Sequence, residues 1–202
     1  MKHEKYSNIK LTKEQIQDTK FVKLIFTKEE NKYKNYYEYK INEINIANNW
    51  NPTNGTNEMG GFNFSVEEKV IRWLLRGDTL FDVIIPEGVD VYDCWNKSTP
   101  HGVFRTNKIT LENPRIIDDE LAMKLYLNSD IPDIAFFPVL AVCSHRGFMK
   151  TAMKIYKEKV NKNTKELAIK EFKEFFSYGG NEFNLDKLNE NARKIYNLLL
   201  SK

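Results

Sequence analysis

Strand-type and helix-type patterns occupy different parts of this chain, and that division constrains its fold more than any other feature. Apolar or alternating runs rich in β-branched and aromatic residues end at Leu111, and helical spacing of apolar residues dominates after residue 116. A run of strands followed by a run of helices predicts an α+β protein. We expect a small, mostly antiparallel, twisted sheet with one packed helix over residues 1–116. An all-helical layer or bundle is expected over residues 117–202, and the pattern leaves open whether the two parts form one compact unit.

The predicted strands are short and are separated by turn residues. They are Phe21–Phe26, Tyr36–Ile41, Phe62–Phe64, Thr79–Ile85, Val89–Cys94, Val103–Arg105 and Lys108–Glu112. The first two are expected to pair as a hairpin. Thr79–Ile85 is expected at the centre of the sheet, because its second half is unbroken Val and Ile, with Val89–Cys94 as its antiparallel return strand. Pro114 is expected to end the sheet region.

One helix is predicted between these strands. Ser65 and Glu68 match the Ser-x-x-Glu capping box, an amphipathic stripe continues to Leu75, and Gly77 is well placed just after the helix. The first twenty residues are polar, and we expect a helical turn or a loosely attached arm there.

The helices after residue 116 have recognisable ends. Asp118 and Asp119 are candidate N-caps, Pro132 suits a first turn, and Gly147 interrupts an apolar stretch. The first predicted helix begins at Asp118 or Asp119 and ends at Leu127, and the second runs from Pro132 to Gly147. Three further helices are predicted at Phe148–Val160, Thr164–Phe176 and Leu185–Leu200.

Composition excludes several classes of protein. The 202 residues are 41% hydrophobic and 13% aromatic, which argues against a disordered chain. The net charge is +3, with 31 basic and 28 acidic side chains. A dedicated nucleic-acid binder would show a stronger or more clustered basic bias, so nucleic acid is not the expected partner.

The two cysteines, Cys94 and Cys143, lie far apart without other ligands at metal-binding spacing. We therefore expect buried free thiols and no metal. The N-terminus has no apolar signal region and no later run could span a bilayer, so we expect a cytoplasmic protein with no membrane partner.

Strong catalytic motifs are absent from the sequence, including phosphate-binding loops, Gly-x-Ser-x-Gly elbows and His-Glu-x-x-His helices. His101, in a loop between two predicted strands, is the one histidine that we would test for catalysis. Whether the chain is an enzyme stays open at this point.

The segment Gly61-Phe-Asn-Phe-Ser65 resembles the strand that lines the nicotinamide pocket of ADP-ribosyltransferase-like proteins. The resemblance implies NAD or nucleotide binding and a glutamate on a later strand, for which Glu112 is the best candidate and Glu87 the other. Neither lies in the Glu-x-Glu or Gln-x-Glu pair typical of many members. The early strand offers Lys23 where the family has Arg or His.

The resemblance also implies how a nucleotide-type ligand would be held. Backbone N–H groups around Gly60 and Gly61 would attract a pyrophosphate near Ser65, and a carboxylate would stabilise the positive charge that develops as the glycosidic bond breaks. The aromatic shelf would come from Phe62, Phe64 or Trp50, and Arg105 would hold a phosphate. Alternatively, Gly60 and Gly61 only allow a tight turn, and the phenylalanines are divided between core and surface.

A second hypothesis is a non-enzymatic protein–protein interaction module, for example a phage-encoded regulator or inhibitor of a host protein. Its contact surface would combine the helical tail with exposed aromatic residues of Tyr33–Tyr39. The segment from Gly60–Ser65 through Gly102–Ile109 is similar to uncharacterised proteins of phages, giant viruses and amoebae, a resemblance that implies no activity. A nucleic-acid binder using the basic, aromatic N-terminal third is the third hypothesis.

Overall fold

The computed structural model describes residues 8–55, 58–94, 101–177 and 182–201. The chain divides into two compact units. One contains the residues up to Val70 together with Arg76–Ile116, and the other contains Ile71–Leu75 and the residues from Ile117 onward. The first carries an open antiparallel sheet and the second carries helices, so the predicted α+β class is confirmed.

The sheet has eight strands, and all of its recorded strand pairs are antiparallel. Their bounds are β1 Ile9–Lys10, β2 Phe21–Ile25, β3 Ile44–Ile46, β4 Phe62–Val66, β5 Thr79–Ile84, β6 Tyr92–Asp93, β7 Phe104–Thr106 and β8 Lys108–Ile116. Their order across the sheet is β1-β6-β7-β4-β2-β5-β8-β3. The predicted strands at β2, β4 and β5 are confirmed, and β5 lies between β2 and β8 as expected for an inner strand.

The core of the first unit is an aromatic and aliphatic cluster. Phe21 of β2 contacts Phe64 of β4 and Phe104 of β7, with both pairs of ring centroids 5.1 Å apart. Phe62, Phe81, Val83, Ile109 and Leu111 extend the cluster across the sheet. The burial of these large apolar side chains is the main favourable contribution to the stability of this unit.

The predicted hairpin between Phe21–Phe26 and Tyr36–Ile41 is wrong. A 3₁₀ helix at Glu29–Lys34 follows β2, and no residue of Tyr36–Ile41 is in a strand. Tyr37 and Tyr39 instead pack on Phe62, with ring centroids 4.9 and 5.7 Å away. The alternation of tyrosines in the sequence reflects these two rings, which cover the core. The strand partners of β2 are instead β4 and β5.

Two further expectations about the sheet are wrong. The segment Val89–Cys94 contributes only β6, which pairs with β1 and β7 and not with β5. Pro114 does not end the sheet, because β8 continues through it to Ile116. The register of β5 and β8 shifts between Leu80 and Asp82, and Asn113 has φ +51°. This irregularity lets a strand include a residue that has no N–H to donate.

The capped helix predicted from Ser65 is also wrong. Ser65 lies inside β4, where its hydroxyl donates to the carbonyl oxygen of Gly102 at 2.6 Å. The helical segment is a 3₁₀ helix at Val70–Arg76. Gly77 has an extended backbone, and a Cβ at this position would lie 2.4 Å from the Ile25 backbone nitrogen. Its role is therefore close approach of two backbones and not a left-handed helix end.

The polar N-terminal segment is more ordered than a loosely attached arm, although residues 1–7 lie outside the described part. Strand β1 pairs with β6, and α1 follows at Lys13–Asp18. Thr12 accepts a hydrogen bond from the Gln15 backbone, and the Gln15 side chain accepts one from the Thr12 N–H. This capping box explains why so short a helix forms.

The second unit has its long helices close to the predicted positions. They are α2 Asp119–Leu127, α3 Phe136–Arg146, α4 Met149–Lys159, α5 Lys165–Phe176 and α6 Glu190–Ser201, with 3₁₀ helices at Asp133–Ala135 and Leu185–Lys187. Asp118 caps α2 by accepting from the Leu121 N–H at 2.8 Å, and Gly147 ends α3 with φ +81°. Helix α3 packs against α4, α5 and α6 and is the most apolar of the unit. None of the helices in the described ranges is long and apolar enough to cross a membrane.

Candidate functional site

A lysine is buried in the middle of the sheet. Lys23 lies on β2 and is 7% exposed, between Val22 and Leu24. Its ammonium group donates to the backbone oxygen of Asn63 on β4 and to the Asn63 side-chain oxygen, the latter at 3.0 Å. The ring centroid of Tyr39 lies 5.3 Å from the same nitrogen. Asn63 is exposed, so the lysine ammonium lies just beneath an accessible polar residue.

The charges around Lys23 have one sign. Burial, together with the positive charges of Arg105 and Arg76, lowers the pKa of Lys23 to about 7. Within the described ranges, no carboxylate forms an ion pair or hydrogen bond with its ammonium group. Lysines are rarely buried without an anionic partner. The arrangement is therefore electrostatically prepared for a negatively charged group.

Arg105 extends this positive region across the sheet. It lies on β7, directly opposite Asn63 on β4 and Tyr92 on β6. One terminal nitrogen of its guanidinium donates to the Gly60 carbonyl oxygen at 3.0 Å. Its Nε is buried without a hydrogen-bond partner among the residues described. The guanidinium is thus held in place while part of its donor capacity is unused.

An aromatic wall lies beside Arg105. The ring of Trp50 covers Gly61 so closely that an added Cβ would lie 2.4 Å from a ring carbon. Gly60 and Gly61 have φ values of +70° and +73°, and the Gly61 N–H donates to the Asn49 carbonyl oxygen at 2.7 Å. The Trp50 and Tyr92 rings are 5.8 Å apart at 60°. These glycines set the position of the indole ring.

We call this set of residues the basic–aromatic strip. It consists of Lys23, Asn63, Arg105, Tyr92 and Trp50. The Lys23 ammonium on β2 donates to Asn63 of β4, and Asn63, Arg105 and Tyr92 are cross-strand neighbours on β4, β7 and β6, with the Trp50 ring beside Tyr92. This order can place an anion at one end and a flat ring at the other.

The other predicted binding residues have structural positions. Phe62 and Phe64 are 3% and 5% exposed and belong to the core. The Ser65 hydroxyl is buried and donates a hydrogen bond to the Gly102 carbonyl oxygen. Of the predicted aromatic shelf, Trp50 alone belongs to the strip.

Glu112 is not brought to the strip. It lies on β8 opposite Asp82 of β5, and β2 and β5 separate β8 from β4. Asp82 is paired with Arg115 at 2.9 Å and accepts from the Asn113 side chain at 3.0 Å.

His101 forms a pair that the sequence pattern did not contain. Its Nδ1 lies 2.6 Å from a carboxylate oxygen of Asp93 on β6, whose other oxygen is buried without a partner in the described ranges. A carboxylate at Nδ1 fixes the ring orientation and leaves Nε2 outward. Burial raises the pKa of the neighbouring Cys94 thiol to about 11, which disfavours its thiolate form.

Sequence reasoning placed Arg105 and the two glycines in the site but missed Asn63, Tyr92 and the central role of Lys23. A signal for Lys23 was present, since a charged residue interrupts the apolar run Phe21–Ile25. No three His, Cys, Asp or Glu residues lie together as a metal site in the part of the chain that is described. Comparisons with protein-family models, curated proteins and solved structures give no match for this chain.

Proposed function

We propose that this protein binds a nucleotide-type small molecule at the basic–aromatic strip. The phosphate group would lie between Lys23 and Arg105, and the base or nicotinamide ring would stack on Trp50 and Tyr92. The observation that carries the proposal is the buried Lys23 ammonium beside Arg105 and Arg76. A planar guanidinium and an aromatic face are common partners of phosphates and nucleobases.

The energetics favour a binding role over a structural role for Lys23. Removing an ammonium group from water costs several kcal/mol, and two hydrogen bonds to one asparagine offset only part of that cost. An apolar side chain of similar length would fill the space without the cost. A bound phosphate would supply the missing negative charge.

NAD and ADP-ribose belong to the proposed ligand class, and binding without cleavage is the form of the proposal that fits the strip. The glutamate that the ADP-ribosyltransferase resemblance requires would have to reach the ligand from β8. Glu112 lies on β8, which β2 and β5 separate from β4. The proposal therefore assigns no catalytic step to it.

Thermal unfolding with AMP, ADP, ATP, NAD and ADP-ribose tests this proposal. A ligand at one hundred times its dissociation constant should stabilise the protein by about 2.7 kcal/mol. Arg105→Met should weaken binding by about 10- to 100-fold, since it removes charge-assisted hydrogen bonds. Lys108→Met, which removes a positive charge from β8, a strand that contributes no residue to the strip, should leave affinity within about twofold. Equal binding by wild type and Arg105→Met, or no response to any of the five ligands, would overturn the proposal.

A second candidate function is capture of an extended protein segment at the sheet edge. Strand β3 ends the sheet order, and Ile44 and Ile46 on it are 57% and 53% exposed. Ile84 of β5 is 46% exposed and is aligned with Ile44 through Thr110 of β8. An added strand with branched aliphatic residues at alternate positions would cover this row and pair with β3.

Selection from a displayed peptide library tests this second candidate. Enriched peptides should carry alternating aliphatic residues and should bind Ile44→Lys at least about tenfold more weakly than wild type. Ile9→Lys is the matched control, because Ile9 lies on the opposite edge strand and is 58% exposed. Peptides that lose affinity equally with both variants, or that show no alternation, would exclude the β3 edge as the docking site.

A further inference from the structure

The basic–aromatic strip differs from an ordinary phosphate site in the protonation of its central lysine. Burial favours the neutral amine form of Lys23. Lys23 is buried, and the groups that face it are known from each neighbouring segment. They are Asn63 from β4, Arg105 from β7, Tyr39 from the segment before β3, and Arg76 from the 3₁₀ helix end, with Phe81 of β5 as the cross-strand neighbour. Burial raises the pKa of the Tyr39 hydroxyl, so that group brings no negative charge.

We infer that the strip binds a doubly charged tetrahedral oxyanion, the phosphate of a nucleoside monophosphate, together with one proton taken up by Lys23. This inference rests on the proposed function. In the free protein the amine is only partly protonated at neutral pH, since its pKa is about 7. When the dianion arrives, the amine nitrogen accepts a proton from solvent and the resulting ammonium donates to a phosphate oxygen. No covalent bond is made or broken.

The direction of the pH dependence follows from this coupling. The anion favours the charged form of the amine, so the pKa of Lys23 is higher in the complex than in the free protein. For an anion that does not itself titrate in this range, such as sulfate, affinity is therefore greatest below pH 7, where Lys23 is already charged. It falls as the pH rises above 7, by up to about tenfold per pH unit.

Calorimetric titration of the whole protein tests the inference. The probes are AMP and inorganic sulfate, at about pH 8 in two buffers of different ionisation enthalpy. Sulfate is included because it does not itself titrate near neutrality. Wild type should take up about one proton per bound anion, seen as a difference in observed heat between the buffers. Lys23→Arg, which stays charged, should bind with almost no proton uptake and with affinity nearly constant from about pH 7 to 9.

The outcomes separate this inference from the proposed function. Binding of AMP and sulfate without proton uptake by wild type would overturn the inference and leave nucleotide binding standing. No binding of either anion by wild type would overturn the inference, and it would overturn the proposed function as well if none of the five nucleotides stabilises the protein against thermal unfolding. If Lys23→Arg does not fold, NMR titration of the Lys23 side-chain amine in wild type decides the question. Its pKa must rise when sulfate is added, and an unchanged value overturns the inference.

Discussion

Gly61→Ala is expected to lower the free energy of unfolding by about 3 kcal/mol, because it combines two penalties. Residue 61 has φ +73°, a conformation that alanine adopts only with strain. The added methyl would also lie 2.4 Å from the Trp50 ring and 2.5 Å from the Thr106 carbonyl oxygen. Relief of the ring contact would displace the Trp50 indole of the strip, so the affinity for nucleotides should fall as well.

Urea denaturation followed by tryptophan fluorescence measures the effect of Gly61→Ala. Two other glycines serve as matched controls. Gly88 has φ +76° and nothing within 4 Å of an added Cβ, so Gly88→Ala should cost about 1 kcal/mol from strain alone. An added Cβ at Gly55 also meets nothing within 4 Å, and its φ lies outside the left-handed region, so Gly55→Ala should change stability by less than about 0.5 kcal/mol. A Gly61→Ala effect no larger than that of Gly88→Ala would show that Trp50 does not press on the turn.

Lys23→Met is expected to make the protein more stable at pH 7 and below, while it abolishes anion binding. The pKa of Lys23 is about 7 in the folded protein, against an ordinary value of 10.5 that applies to the unfolded chain. Below pH 7 both states carry the proton and the folded state bears the full cost of a buried charge. Between pH 7 and 10.5 the unfolded state binds more protons, so wild-type stability rises with pH by up to about 1.4 kcal/mol per unit.

The difference in unfolding free energy between Lys23→Met and wild type should therefore shrink by a few kcal/mol from about pH 7 to 10. Urea denaturation at several pH values measures it. Lys13→Met replaces an exposed lysine of α1 and should stay within about 0.5 kcal/mol of wild type. A Lys23→Met difference that does not change with pH would contradict the burial of a titrating ammonium group. A gain in stability with a loss of binding would show that Lys23 is kept for its ligand.

The strands that the sequence predicts well are those whose pattern comes from burial itself. The run Phe21–Ile25 is largely apolar because the side chains on both faces of the strand are buried. The run Thr79–Ile84 is largely apolar because most of its side chains are buried. The failures come from side chains with distant partners. Tyr37 and Tyr39 alternate because they cover Phe62, and the Ser65 hydroxyl is taken by a carbonyl 37 residues away. A capping pattern involves only neighbouring residues, so it cannot reveal a hydrogen bond to so distant a carbonyl group.

The candidate site shows the same limit. Gly60, Gly61 and Arg105 can be found in the sequence because glycine pairs and an arginine in a strand stand out locally. Lys23 and Tyr92 join them only through the order β2-β4-β7-β6 across the sheet. A strand order in which two neighbouring pairs, β2–β4 and β4–β7, are not consecutive in the chain cannot be derived from spacing along the chain.

The short segment Ile71–Leu75 belongs to the second unit but lies in the sequence between the two parts of the first unit. Neither unit can therefore be expressed as one continuous piece of the chain that is free of the other. The backbone passes from one unit to the other after Val70, after Leu75 and after Ile116. Ile71 and Leu74 are fully buried, and the Arg146 guanidinium donates to the Leu74 carbonyl oxygen at 2.6 Å. A chain cut after Ile116 would keep this segment and lose the helices that cover it. The sheet strands are synthesised before α3. The segment Ile71–Leu75 can therefore reach its final environment only after the helices have been made.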